Sequence, residues 1–441
     1  MRSRNLAFGW LLQKEWRELL ASRAWWVLLL LIGPLVGVSF ISAVRTYGEL
    51  SGYGGTADGV GEAFSPLVGV WAPTFSACEL AAAFLLPFVA IRVVAGDRQS
   101  GAMTLELQHP MPMVLRVTAK AAVLFAGWIV ATLPALLAVA LWRSYGGSVY
   151  LPELASVFAG HLLNAGLTIA LASAAAMLTD HPSTAAIVTL SVTVGTWILN
   201  FIAAVHGGVW EEAAGYTPTA MVAEFQHGLV RLDVLLATVL LIALGLALAT
   251  IWMRLGSPVR RRVGESIVAA AATGAAIVAC TFVNASVDLS ENRMNSFTRA
   301  DEALLRGIRQ PLRIVAHLAP EDPRRVDLER RALSKLRRAV PRLQVDYISK
   351  TTTGMFEQSN PDYGEIWYEL DGRRVEGRGT SAESVLESIY ALTGLAAPPE
   401  GSETFRGHPL AVAPAGAAAI FYGVWPASVA AGGLFIRRRR A

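Results

Sequence analysis

Lysine is nearly missing from this sequence. It occurs only at Lys14, Lys120, Lys335 and Lys350, against 34 arginines. That scarcity excludes a nucleotide-binding P-loop, which needs a glycine, then a lysine, then serine or threonine, so that the lysine reaches the terminal phosphates. Lys14 precedes Glu15, Lys120 precedes Ala121 and Lys335 precedes Leu336; Lys350 precedes Thr351, but Ser349 stands where the glycine is required. Any ATP hydrolysis coupled to this chain must therefore be done by another. Charge is scarce as well: 16% of residues are charged, where soluble domains carry about 25%. There are two cysteines, Cys78 and Cys280, far apart and without Cys-x-x-Cys or Cys/His spacing. A disulfide framework and a zinc site are excluded, and both read as small buried hydrophobes. No Ser-His-Asp or metal-ligand constellation appears, so no catalytic residue, cofactor or metal is expected, and the chain is not expected to be an enzyme. The Gly-rich stretch 52–61 follows no strand and opens no helix, and reads as a loop rather than a phosphate cradle.

What the sequence does have is apolar length. It is 54% hydrophobic, with a mean hydropathy of +0.44. Crossing a bilayer takes about 20 apolar residues per helix. Windows of that length predict eight spans, at 24–44, 73–91, 119–142, 154–178, 184–204, 232–253, 265–285 and 409–436. Pro34, Pro87 and Pro134 fall inside three of them. The stretch before the first run, MRSRNLAFGWLLQKEWRELLASR, is long for a secretory signal and lacks a small-residue cleavage site, so the first run reads as a retained helix.

Basic residues set the expected orientation. Arg2, Arg4, Lys14, Arg17 and Arg23 precede the first span; Arg92, Arg98, Arg116 and Lys120 flank the loop after the second. Arg254 and Arg260–Arg262 follow the sixth, and Arg437–Arg440 end the chain, while the alternate loops are poor in basic residues. Both termini are thereby predicted to be cytoplasmic, in a bacterial cytoplasmic membrane. Residues 286–408 become the one large extracytoplasmic segment.

That segment carries soluble-protein patterning and predicts a small α/β domain over 288–405. A strand is expected at Leu312–Leu318 and a helix from Pro323 to about Val340, with Val326, Leu333, Leu336 and Val340 on one face. A second strand follows at Leu343–Ile348. Asp371-Gly372 joins strands Ile366–Leu370 and Arg374–Gly377 as a type I′ hairpin, and Ser381 opens a final helix to Leu395. Ile314, Ala316, Leu333, Leu336, Val345, Tyr347 and Ile389 supply the expected core. The arginines of 323–342 could form a patch for anionic lipid or an acidic glycopolymer, but a solvated face with Asp327 and Glu329 interspersed is the plainer reading. His161, Asn164 and Glu79 are polar residues within predicted spans, for which interhelical hydrogen bonding suffices.

The most informative local pattern lies between the second and third spans: Asp97-Arg98-Gln99-Ser100-Gly101-Ala102-Met103-Thr104-Leu105-Glu106-Leu107-Gln108-His109-Pro110, running on to Lys120. It resembles the loop of ABC-2 type transporter permeases in which an acidic residue, a Gly-Thr, a leucine-rich turn, a proline and a Gly-Lys succeed one another. Asp97, Gly101, Leu107, Pro110 and Lys120 take those positions without a gap, with Ala102 and Ala119 replacing the threonine and the second glycine. Residues 6–20 resemble the amphipathic elbow helix of these permeases, with Lys14 and Arg17 suited to headgroups, and Met221–Val230 resembles their outer Phe-x-x-Gly segment. Residues 288–318, 343–348 and Tyr363-Gly364-Glu365-Ile366 resemble the exported domain of gliding-motility-type auxiliary subunits. The resemblance implies an elbow helix (1–23), a six-helix permease (24–255), and a fused auxiliary part comprising a span at 265–285, the domain at 288–405 and a last span at 409–436. It also implies a separate P-loop ATPase subunit docking on the 97–120 loop, pairing of permease chains as homodimer or heteromer, lipid contact, and no nucleic acid. The alternative is a non-transporting scaffold or sensor whose exported domain binds an envelope partner.

Overall fold

The computed structural model describes residues 2–52, 64–102, 108, 111–206, 209–254, 256–283, 285–319, 322–348, 362–398 and 405–438. The Gly-rich stretch, apart from Gly52, lies outside these residues. Among the described residues, eight helices are long and apolar enough to cross a membrane: Arg23–Gly52, Leu67–Gln99, Met113–Ser144, Leu151–Leu178, Pro182–Ala203, Leu232–Met253, Val259–Cys280 and Ala417–Arg438. The chain is thus a polytopic membrane protein, and the number of spans agrees with the sequence. Several bounds do not. The second and third spans extend well beyond their apolar windows, because a helix continues through polar residues where other protein covers it. The last span begins at Ala417, not at 409. Pro414 and Gly416, the latter at φ 75°, interrupt the helix there. The seventh begins at Val259, so Arg260–Arg262 are helical.

Two compact units are present, one made of the spans and one centred on 286–405. In the membrane unit the fourth span is central, packing on the second, third and sixth and on the short helix Pro218–Gln226. Close approach is made possible by glycine. A Cβ on Gly245 of the sixth span would sit 2.9 Å from Ala170 of the fourth, and one on Gly160 would sit 2.5 Å from Phe225. Lipid tails are as apolar as leucine, so helices in a membrane associate through such tight contacts rather than through the hydrophobic effect. The eighth span is held on the first in the same way. Gly33 and Gly37 receive Trp425 and Phe421, and the Trp425 indole donates to the Leu29 carbonyl at 2.7 Å, in the turn that Pro34 disrupts. The sixth and seventh spans form a hairpin pinned by Arg254–Glu265 (2.8 Å) and Trp252–Ser266 (3.0 Å).

The second unit is the predicted α/β domain. Among the described residues, its four-stranded sheet is ordered Leu343–Tyr347, Leu312–Ala316, Ile366–Leu370, Arg373–Gly377; the first two run parallel and the other neighbours antiparallel. Asp371 (φ 50°) and Gly372 (φ 76°) make the I′ turn. Ser381 caps the helix Ala382–Thr393 by accepting from the Ser384 amide. All seven expected core residues lie in or against one apolar cluster.

The face predicted for the 323–340 helix needs correcting. Of its four residues Leu333, Leu336 and Val340 are buried as expected, but Val326 is 61% exposed, and Leu328, Ala332 and Ala339 join the buried face instead. A π-helical turn at Glu329–Leu333 places an extra residue in one turn, so Val326, on its N-terminal side, falls out of register with the 3.6-residue count from Leu333 and Leu336. The arginines largely have local partners: Arg337 with Glu329, Arg324 with Asp322 (2.8 Å), and Arg325 over the Tyr347 ring. That pattern fits a solvated face. Burial pushes the Asp322 carboxyl up, but hydrogen bonds from Arg324 and Tyr363 outweigh it and hold the group below the ordinary aspartate range.

Residues 286–405 expressed alone should show a cooperative thermal transition by circular dichroism. Leu336→Ala should lower its unfolding free energy by about 2–5 kcal/mol, because the fully buried side chain leaves a cavity.

Candidate functional site

Two helix ends and the N-terminal helix converge on one face of the membrane unit. The second span ends at Gly101, whose φ of 77° stops the helix by taking the left-handed conformation. Asp97 therefore sits one turn inside the end. The third span starts at Met113 behind Pro112, which places Lys120 two turns in. Because the two spans are antiparallel, Asp97 and Lys120 meet, and they form an ion pair. Gly101 lies beside the site as helix terminator. Leu107 and Pro110 fall outside the described residues.

The sequence did not single out Glu15. The helix Arg2–Ala21 brings it between the two spans, fully buried. Lys120 Nζ donates to Glu15 Oε1 (2.9 Å), to Glu15 Oε2 (2.8 Å) and to Asp97 Oδ2. Those are the three donors an ammonium group has. Lys14 Nζ lies 3.1 Å from Asp97, 3.2 Å from Glu15 and 3.0 Å from Glu18. The headgroup role expected for Lys14 is thus replaced by an inward one, while Trp10 on the same helix is 70% exposed. Arg116 is buried one turn before Lys120.

A charge this buried is costly unless paired and hydrogen-bonded, and here both conditions are met. Oxygens of Glu15, Glu18 and Asp97 lie within 4.8 Å of one another, a spacing at which a metal ion could bridge them. The ammonium groups of Lys14 and Lys120 bind the same carboxylates, so the protein supplies the countercharge. Burial, with Asp97 and Glu15 as like-charged neighbours, raises the Glu18 carboxyl above its ordinary value, and Lys14 opposes this. Beside the cluster, Arg98 bonds Asp180 at 2.6 Å and donates to the Thr179 carbonyl at 3.0 Å. It thereby ties the end of the second span to the turn between the fourth and fifth and caps the negative end of the fourth helix.

The remaining sequence candidates lie elsewhere. His161 and Asn164 are buried on the fourth span; His161 Nε2 is 3.2 Å from Gln226 and its ring is against Phe75. The Met221–Val230 segment packs Met221, Val222 and Phe225 into a small cluster with Val234. Cys78 is buried, whereas Cys280 is partly exposed, contrary to the reading of both as buried. His317 stacks on Trp367 in the α/β domain.

No protein-family model, curated protein or solved structure matches the chain.

Lys120→Met should destabilise the protein by about 3–5 kcal/mol, since it leaves two buried carboxylates with only the half-buried Lys14 as countercharge; combining it with Glu15→Gln and Asp97→Asn should recover most of the loss in thermal unfolding. Glu18 binds its proton more tightly folded than unfolded. Its contribution is therefore favourable at low pH and is lost as pH rises from the ordinary glutamate value through the raised one. Glu18→Gln should flatten that part of the stability profile.

Proposed function

We propose that the chain is the permease subunit of an ABC-2 type transporter in a bacterial cytoplasmic membrane. ATP is hydrolysed by a separate P-loop subunit that docks at the segment between the second and third spans. The observation that carries the reading is the convergence of Asp97 and Lys120 on Glu15. Two positions of the loop pattern, 23 residues apart, lie in one buried ion cluster with the N-terminal helix. A push on the loop is then delivered to three helices at once, as a coupling element requires, because packed elements shift as rigid bodies. Gly101 ends the second span at the point where, in this reading, a docking element would begin. In this reading both termini and the 97–120 segment are cytoplasmic, the α/β domain is exported as a fused auxiliary-like part, and two permease chains form the pathway.

The test is co-purification. The tagged chain, expressed with its neighbouring genes, should bring down a P-loop ATPase subunit. Gly101→Val, which forces a β-branched residue toward a left-handed conformation, should reduce that association while leaving membrane insertion intact. Labelling of Arg17→Cys and Val326→Cys from outside intact cells should modify only the second. A chain that inserts and folds but recruits no ATPase would instead be a scaffold or sensor.

A further inference from the structure

Asp97, Asp233 and Glu265 each lie within a span, and each is held by a basic residue: Lys120, Arg231 and Arg254. Glu79 is not. It is half-buried on the second span, and among the described residues no donor bonds its carboxyl and no charged group stands near it. The interhelical hydrogen bond expected of it is therefore not made. Nor does Glu79 lie at a helix end, where it would reach headgroups. At 1.5 Å per residue it is about 18 Å from the Leu67 end of the span and about 30 Å from the Gln99 end.

The residues around it form one stripe. Ser76, Leu80, Phe88 and Arg92 are exposed and Phe84 is partly so; they follow one another at intervals of four residues, a continuous ridge along the helix. Glu79 borders this ridge beside Leu80, one turn beyond Ser76. The Ser76 hydroxyl bonds its own helix, donating to the Ala72 carbonyl at 2.8 Å. The fifth span widens the aromatic part of the stripe: Trp197 meets Phe84 edge-on, with ring centres 5.7 Å apart, and is itself exposed. Arg92, the basic residue of the stripe, stands about 20 Å from Glu79 along the helix axis, too far to pair with it.

Hydrocarbon offers a carboxyl neither a donor nor a countercharge, and ionisable groups within spans line water-filled cavities or the paths of ligands. We propose that the stripe from Ser76 to Phe88 faces the aqueous pathway between two copies of the chain, and that Glu79 is its recognition point for a hydrophobic organic cation. The inference rests on the permease reading and gives it a substrate class. Glu79 supplies the charge. Phe84, Phe88 and Trp197 supply aromatic faces, which attract a cation electrostatically and its apolar groups by contact. An anion meets repulsion at Glu79. A small inorganic cation needs several oxygen ligands in place of its water, and the stripe offers one carboxyl and one hydroxyl.

The test uses the full chain assembled with its ATPase subunit in membranes, with Cys78 and Cys280 replaced by alanine. Co-purification is measured first; failure there removes the permease reading, and this proposal with it. In the assembled complex, Ser76→Cys should react with an uncharged, water-soluble thiosulfonate severalfold faster than Val268→Cys, an exposed position on the seventh span. Tetraphenylphosphonium should slow the reaction at Ser76→Cys severalfold, whereas tetraphenylborate, of the same shape and opposite charge, should not. Glu79→Gln, which keeps the size of the side chain, should abolish that protection and leave the reaction without added ion unchanged. Reaction no faster at Ser76→Cys than at Val268→Cys, protection that is absent or equal for the two ions, or protection that survives Glu79→Gln would overturn the proposal while ATPase association, and with it the permease reading, still stood.

Discussion

An ammonium group shut away from water has to find three acceptors and a compensating charge close by, or it does not stay charged. Lys120 has this problem, and much of the membrane unit is arranged around its solution. Asp97 alone supplies one acceptor. The other two come from Glu15, which reaches the site only when the N-terminal helix lies against the second and third spans. Docking of that helix is therefore fixed by a charge requirement as well as by apolar area. Leu19 on Gly127 adds the contact that aligns it. Removing the helix would leave Lys120 with half of its countercharge, so the bundle and its N-terminal helix form one folding unit.

Elsewhere the membrane unit is assembled by shape. Gly33 and Gly37 lie one turn apart and form a groove on the first span into which two aromatic side chains of the eighth descend. The same device recurs where Gly160 meets Phe225 and Gly245 meets Ala170. Each glycine gives up helix propensity of about 1 kcal/mol against alanine. The return is backbone approach close enough for dispersion contacts, the attraction left to helices already dissolved in an apolar solvent. The fifth, seventh and eighth spans show mostly apolar side chains at their surface, including Ile187, Phe201, Val268 and Phe435, as lipid contact demands.

Much of this was legible in the sequence, for definite reasons. Span number follows from the apolar length that a bilayer imposes, and the I′ hairpin from the positive φ that Asp371-Gly372 can adopt. Span ends were less legible. Hydropathy marks where a helix meets lipid, whereas the helix itself stops only at a break such as Gly101 or Pro414–Gly416. Val326 was misplaced because a π-turn leaves no trace in residue spacing. Asp97 and Lys120 could be singled out because they fall in one short pattern. Glu15 could not, since it stands 105 residues from Lys120 and its burial depends on a tertiary contact. The Lys14-Glu15 pair lies in an amphipathic helix that also carries Arg17 and Glu18, and it reads equally well as a headgroup contact.

The scarcity of lysine gives that cluster a sharper meaning. The chain uses arginine 34 times and lysine four times, yet two of the four lysines bind the same carboxylates. Arginine is a planar fork of five donors suited to a flat, bidentate partner; lysine is a compact charge with three donors spread in space. The space between Glu15 and Asp97 asks for the second. The two carboxylates approach Lys120 from different helices, and its three donors are used by three oxygens with none left over. A guanidinium would be bulkier and would confine its five N–H groups to one plane. The composition of the chain thus leans toward one basic residue while the geometry of this site calls for the other. The site prevails there because a buried charge tolerates far less misfit than an exposed one.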